Sequence, residues 1–175
     1  MERAVTLSDG RQITLRHVLT PGDAGRIIKF HGVVYAWEHQ LGAKFEGYVA
    51  ATVGEFAVRY DPEGSRERVW LASPRGEKEL IGCCALLDAG ISGAQFRWFL
   101  IDPSFRRVGL GKLLLGEAVE FARLSGYPRM FLYTSDFLPP AAKLYENMGF
   151  ELVDEIPRTD WEVPFMEQKY MLEFA

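Results

Sequence analysis

The amino-acid sequence predicts an α/β protein of about seven strands and about four helices. Three observations carry that prediction. Helical periodicity and strand alternation succeed one another along the whole chain. Three strand-like runs between residues 69 and 101 are joined by connections too short for parallel crossovers, so they read as an antiparallel meander. The chain of 175 residues, 48% apolar and 25% charged, has the make-up of one ordinary globular domain with a sizeable core, residues 1–175.

In chain order, Gln12 to His17 alternates as a strand does. Thr20-Pro21-Gly22-Asp23 opens a helix, with Thr20 as candidate cap and Pro21 at the first position, running to about Gln40. A second helix places Phe45, Val49, Val53 and Phe56 on one face, and Asp61-Pro62-Glu63-Gly64 ends it in a loop. Val69 to Ala72, Leu80 to Leu87 and Gln95 to Ile101 are the meander strands, with turns at Pro74-Arg75-Gly76 and Ala89-Gly90. A third helix, Gly109 to Ser125, lines up Leu110, Leu114, Ala118, Phe121 and Ala122, and Gly126 stops it. The strand Met130 to Thr134, a helix ending at Gly149, a strand near Phe150–Val153 and a last strand from Glu167 to Phe174 complete the series.

One segment carries chemistry. Ile101-Asp102-Pro103-Ser104-Phe105-Arg106-Arg107-Val108-Gly109-Leu110-Gly111-Lys112 runs from a strand through a basic, glycine-punctuated turn into a helix. The first N–H groups of a helix lack partners within it, and the macrodipole adds positive character there, so the turn suits a pyrophosphate. Gly109 and Gly111 let oxygens approach the main chain, and Arg106, Arg107 and Lys112 add positive charge. Two nucleotide motifs are excluded by residues. A dinucleotide fingerprint needs glycine where Leu114 stands, and a Walker loop needs Ser or Thr where Leu113 stands.

Arg106-x-x-Gly109-x-Gly111 resembles the acetyl-CoA signature of the GNAT N-acetyltransferase superfamily. A second block, Ala141-x-x-Leu144-Tyr145-x-x-x-Gly149-Phe150, resembles the other half of that signature, in the same order and at a similar spacing. The resemblance covers nearly the whole chain. It implies the GNAT acyl-CoA N-acyltransferase fold: a mixed sheet that opens in a V beside Phe99, Leu100 and Ile101, with acetyl-CoA lying in the gap as acetyl donor. The main chain of those three residues would hold the pantetheine arm, and Arg106, Arg107, Val108, Gly109, Leu110, Gly111 and Lys112 the pyrophosphate. Many relatives carry an Asn seven residues before the tyrosine. Leu138 stands there, so that contact would pass to water, Thr134 or Ser135. A narrower likeness, in His31-Gly32-x-x-Tyr35-x-x-Glu38, Phe45-Glu46 and Arg97-Trp98-Phe99-Leu100, is to the acetyltransferase half of winged-helix regulator–acetyltransferase fusions, here standing alone.

Transfer of an acetyl group to an amine needs a proton donor for the departing thiolate and a base for the amine. The resemblance implies Tyr145 as donor, since an unperturbed phenol with a pKa near ~10 keeps its proton at neutral pH. Many relatives place a glutamate on the strand before the glycine turn, but Gln95 to Ile101 contains no carboxylate. His31, Tyr35 and Glu38 share one face of the first helix, and Glu38, then His31, are the substitutes for the base. Tyr35, Trp37, Trp98 and Trp161 are candidate walls of the acceptor pocket. The reading is an N-acetyltransferase for a primary amine of a small molecule or peptide. Its alternatives are a non-catalytic acyl-CoA sensor and a protein lysine or N-terminal acetyltransferase.

The net charge of −4 argues against a nucleic-acid binder. No apolar run is long enough to span a membrane, and the start lacks the apolar core of a signal peptide. Cys83 and Cys84, adjacent in a strand, read as reduced and structural, which points to the cytoplasm. No Cys/His spacing suggests a metal. The resemblance is also compatible with a homodimer.

Overall fold

The structure, a computed structural model, describes residues 2–174. Its strands are β1 (Glu2–Thr6), β2 (Gln12–Arg16), β3 (Arg68–Pro74), β4 (Gly82–Asp88), β5 (Ala94–Ile101), β6 (Arg129–Ser135), β7 (Glu151–Arg158) and β8 (Phe165–Glu173). Its helices are α1 (Asp23–His39), α2 (Ala43–Arg59), α3 (Leu110–Leu124) and α4 (Pro139–Asn147). The strands form one sheet in the order β1-β2-β3-β4-β5-β6-β8-β7, antiparallel throughout except for β5 and β6.

Helices cover both faces of this sheet, so its middle strands are apolar on both sides. Along β3 and β4, Val69, Leu71, Cys83, Ala85 and Leu87 join α1 and α2 in one core. Trp70, Ala72, Cys84 and Leu86 join α3 in the other. The period of two decides this division, and it puts the two cysteines on opposite faces, both free and buried. Helix α3 buries Leu110, Leu114, Ala118, Phe121 and Ala122, the expected stripe; each large side chain so buried contributes about 1.5–3 kcal/mol.

Two local expectations need correction. Strand β1 makes the strands eight rather than seven. It is an edge strand whose side chains are nearly all exposed, so its sequence carries no apolar alternation. Helix α1 is not capped by Thr20 with Pro21 inside. Its cap is Gly22 at φ 94°, a left-handed conformation that glycine adopts without strain. Thr20 instead donates its N–H and hydroxyl to the buried Asp23 carboxylate, at 2.7 and 2.8 Å. Arg16 closes the cluster with bonds of 2.6 and 2.9 Å to the same group.

The feature that creates a site lies on β5. Opposite β4 the register slips: Ala85 faces Arg97 but Cys83 faces Leu100, so β5 carries one extra residue at Trp98–Phe99. Trp98 there adopts φ 49°, rare for a bulky side chain. The slip reverses which residues face which side. Ala94 and Phe96 point to the α3 core before it, and Phe99 and Ile101 after it. Strands β5 and β6 pair only through Ala94↔Met130, Gln95↔Phe131 and Phe96↔Leu132, then part. The sheet opens in a V at this point.

Candidate active site

The parting strands leave a cleft of about 740 Å³, within the range of small-molecule sites. Its lining runs from the glycine turn through Phe99, Leu100 and Ile101 to Tyr145, then to His31, Tyr35 and Glu38 on α1 and to Trp161. Thr134 and Ser135 of β6 form the opposite wall.

At one end the chain turns into α3. Gly109 caps the helix at φ 88° with no side-chain cap, and a Cβ built on it would project into open space. Leu113 donates to the Gly109 carbonyl at 2.9 Å, so helical bonding starts there. The N–H groups of Gly109, Leu110, Gly111 and Lys112 therefore have no acceptor in the described chain. Arg107, itself left-handed at φ 63°, and Lys112 line the cleft beside them. Unpartnered amides, an open glycine and two cations form a cradle whose chemistry fits a pyrophosphate. Leu110 contributes only main chain, as its side chain is wholly buried. Val108 lies outside the cleft wall, its carbonyl accepting the Ser8 N–H at 3.3 Å.

Midway along the cleft stands Tyr145, 5% exposed, among Phe99, Phe150 and Tyr170 with ring centroids 5.9–6.1 Å away. Helix α4 carries it there, starting at Pro139-Pro140, where missing N–H groups cost nothing. Burial, helped by the nearby Tyr35, pushes the Tyr145 hydroxyl well above the ordinary phenol range. It stays protonated, a donor with no partner among the described residues.

The third region is the face of α1. His31 is buried; its Nδ1–H donates to the Ile27 carbonyl at 2.9 Å, which fixes the tautomer and leaves Nε2 as acceptor. Burial lowers its pKa to about 4, so the ring is neutral. Tyr35 stacks on it at 6.0 Å, and burial pushes the Tyr35 hydroxyl up to about 12. Glu38 is not the free carboxylate that a base requires. Arg106 holds both its oxygens, at 2.6 and 2.7 Å, and also donates Nε–H to the Ile101 carbonyl at 3.1 Å. Helix α1 is thereby tied to the glycine turn, and the Arg106 guanidinium points to Glu38.

The aromatic end is built by distant segments. Trp161 stacks on Phe165 at 4.5 Å and meets Phe45 edge-on at 4.9 Å. Glu162 beside it accepts the Lys44 N–H at 3.0 Å near the start of α2, which pins the β7–β8 connection over this end. Trp98 lines the cleft and donates Nε1–H to the Thr52 hydroxyl at 3.2 Å. Trp37 does not belong here: it is 76% exposed and outside the cleft. It lies two residues from Tyr35, roughly 200° around the helix. Sequence reasoning missed His39, Tyr48, Phe137, Phe165 and Glu167, all cleft residues. His39 sits one residue after Glu38, its ring 4.9 Å from Phe137, and burial holds its pKa below the ordinary imidazole value. Its position on the α1 face was the available signal.

Residues 65–152, the segment that contains the bulge, the glycine turn and Tyr145, match the profile of the acetyltransferase (GNAT) domain. The chain belongs to the GNAT family. The uncharacterised N-acetyltransferase YjgM of Escherichia coli is 39% identical to this GNAT chain over 88 residues, 49% of this chain and 52% of the relative. The chain spans about half the length of the curated relatives it matches. Solved structures share the fold more completely. An acetyltransferase of the GNAT family from Staphylococcus aureus superposes with a TM-score of 0.73 at 17% identity, over 92% of this chain and 99% of that one. For yncA of Salmonella typhimurium, solved with its cofactor acetyl-CoA, the values are 0.67, 15%, 93% and 94%. Among the described residues no His, Cys, Asp and Glu group forms a metal site, and no helix is long and apolar enough to cross a membrane.

Proposed function

We propose that this GNAT chain is an acetyl-CoA-dependent N-acetyltransferase for a primary amine, working by direct attack of the amine. One observation carries the reading: a single cleft joins the unpartnered amides of Gly109–Lys112 to the buried, unpartnered Tyr145 hydroxyl. When bound, acetyl-CoA supplies the activated acetyl group and the thiol leaving group. The amides of the turn, with Arg107 and Lys112, hold the pyrophosphate, and the parted edge of β5 at Phe99–Ile101 holds the arm. Thr134 on β6, which lines the same cleft, would be a further contact for it.

Tyr145 gives its proton to the departing sulfur, the role its raised pKa suits. Because Glu38 is engaged by Arg106, we assign the amine's proton to the neutral imidazole of His39, through water, with His31 as the more deeply buried second acceptor. Glu38 positions Arg106. The aromatic end pinned by Glu162 favours a small acceptor over a lysine on a protein surface.

The test is release of free thiol from acetyl-CoA across a panel of amines and peptides. Amine-dependent release is expected. Tight acetyl-CoA binding without it would establish the second reading, a non-catalytic acyl-CoA binder. That reading draws on the absence of an unpaired carboxylate in the cleft among the described residues.

A further inference from the structure

The charges that line the cleft are unevenly matched. Its two carboxylates are both tied to arginines: Glu38 to Arg106 at 2.6 and 2.7 Å, and Glu167 to Arg158 at 2.9 and 3.1 Å. Of the lining cations, Arg107 and Lys112 stand at the glycine turn, and Lys143 lies 3.8 Å from Glu146. Arg97 differs from all of these in its place. It lies on β5 immediately before the bulge, at the aromatic end, and has no anionic partner among the described residues. Its one bond runs from a terminal nitrogen to the Tyr48 hydroxyl, at 2.9 Å. The guanidinium carbon is 5.8 Å from the Tyr48 ring and 5.5 Å from the Trp98 ring.

A guanidinium has five N–H donors in a planar fork, and a carboxylate is the group that fork matches with two parallel bonds. Here the fork is held in place by Tyr48 with most donors unspent. It stands in a concave, aromatic site that loses solvent when a ligand enters, and that strengthens any ion pair formed there. Beside it, Phe45, Trp161 and Phe165 offer apolar surface. Distance along the chain also fits. Arg97 is two residues from Phe99, whose ring is 6.1 Å from Tyr145.

We propose that the acceptor is a primary amine that also bears a carboxylate and an apolar or aromatic body, of the amino-acid type. Arg97 binds its carboxylate, and Tyr48 positions Arg97. This rests on the N-acetyltransferase reading above for the fate of the amine, but the carboxylate site stands on its own geometry.

The test compares L-phenylalanine, L-phenylalaninamide and 2-phenylethylamine as acceptors. Calorimetry then follows N-acetyl-L-phenylalanine and N-acetyl-L-phenylalaninamide on the protein, with and without saturating coenzyme A. The acid is expected to be preferred over the amide by about tenfold to a hundredfold, in kcat/KM and in Kd, the range of a charge-assisted pair. Arg97→Gln should reduce the preference to within about twofold and leave acetyl-CoA affinity unchanged, whereas Arg97→Lys should keep part of it. Equal binding of acid and amide, no binding of either, or a preference that survives Arg97→Gln overturns the proposal. If the acid binds through Arg97 but no amine is acetylated, the carboxylate site stands and the transferase reading fails. If all three amines are acetylated alike, the transferase reading stands and the carboxylate site fails.

Discussion

Tyr145→Phe separates chemistry from packing more cleanly than any other change in this site. The substitution keeps the ring among Phe99, Phe150 and Tyr170 and removes one oxygen. Among the described residues that oxygen has no hydrogen-bond partner, so its loss leaves no buried group unsatisfied. Stability should therefore move by less than about 1 kcal/mol, read as a small shift in Tm. If the hydroxyl protonates the departing thiolate, kcat should fall by about 10²–10⁴, equivalent to roughly 2.7–5.4 kcal/mol of transition-state stabilisation. Acetyl-CoA affinity, which the proposed function places on the glycine turn, should change less than about threefold, since the lost oxygen makes no contact there. Stopped-time thiol release, calorimetry with acetyl-CoA and thermal unfolding on the same preparation supply the three numbers. A variant with wild-type turnover would refute the assignment and leave Tyr145 a packing residue. A variant that loses affinity as much as turnover would place the hydroxyl on the donor rather than on the proton.

Glu38→Gln should leave the acidic limb of the kcat/KM profile in place and cost about 1 kcal/mol or less of stability, as expected for a part-exposed ion pair. Disappearance of that limb would restore Glu38 as the base. His31, neutral and buried with a pKa lowered from 6.5 to about 4, binds fewer protons folded than unfolded. Its contribution is complete above about pH 6.5 and is lost as pH falls toward 4, up to about 3 kcal/mol. Urea unfolding at a series of pH values should show that slope in the wild type and a flatter one in His31→Gln. For Asp23 burial works to raise the pKa, but Arg16 and Thr20 outweigh it and bring the value from 3.8 down to about 2. This stabilisation is present above about pH 4 and disappears as pH falls through 2. Asp23→Asn strands Arg16 and Arg26 and should cost about 3 kcal/mol or more at neutral pH, with the urea midpoint as readout and an unchanged midpoint as the contrary result.

Local pattern carried much of this protein. The stripes of α2 and α3 are properties of a dozen neighbouring residues, and the faces they predict are the faces buried. The glycine turn and the Tyr145 block were legible for the same reason, since each lies within one connection and the start of one helix. Trp37 also lay within reach of local reasoning, because its angular distance from Tyr35 on α1 already put it outside the cleft. Strand β1 did not, as an edge strand needs no apolar face. What only the tertiary structure decided is pairing between residues far apart in the chain. Arg106 and Glu38 are 68 residues apart, and their ion pair engages both oxygens of the candidate base. Trp161 reaches Phe45 only because the β7–β8 connection lies over the start of α2. Arg97 reads from sequence as one more strand cation, and becomes informative once both cleft carboxylates are seen to be held by other arginines. Periodicity encodes which way a side chain points relative to its own element, while electrostatic pairing depends on separations of a few ångströms between elements that only the packed sheet and helices set.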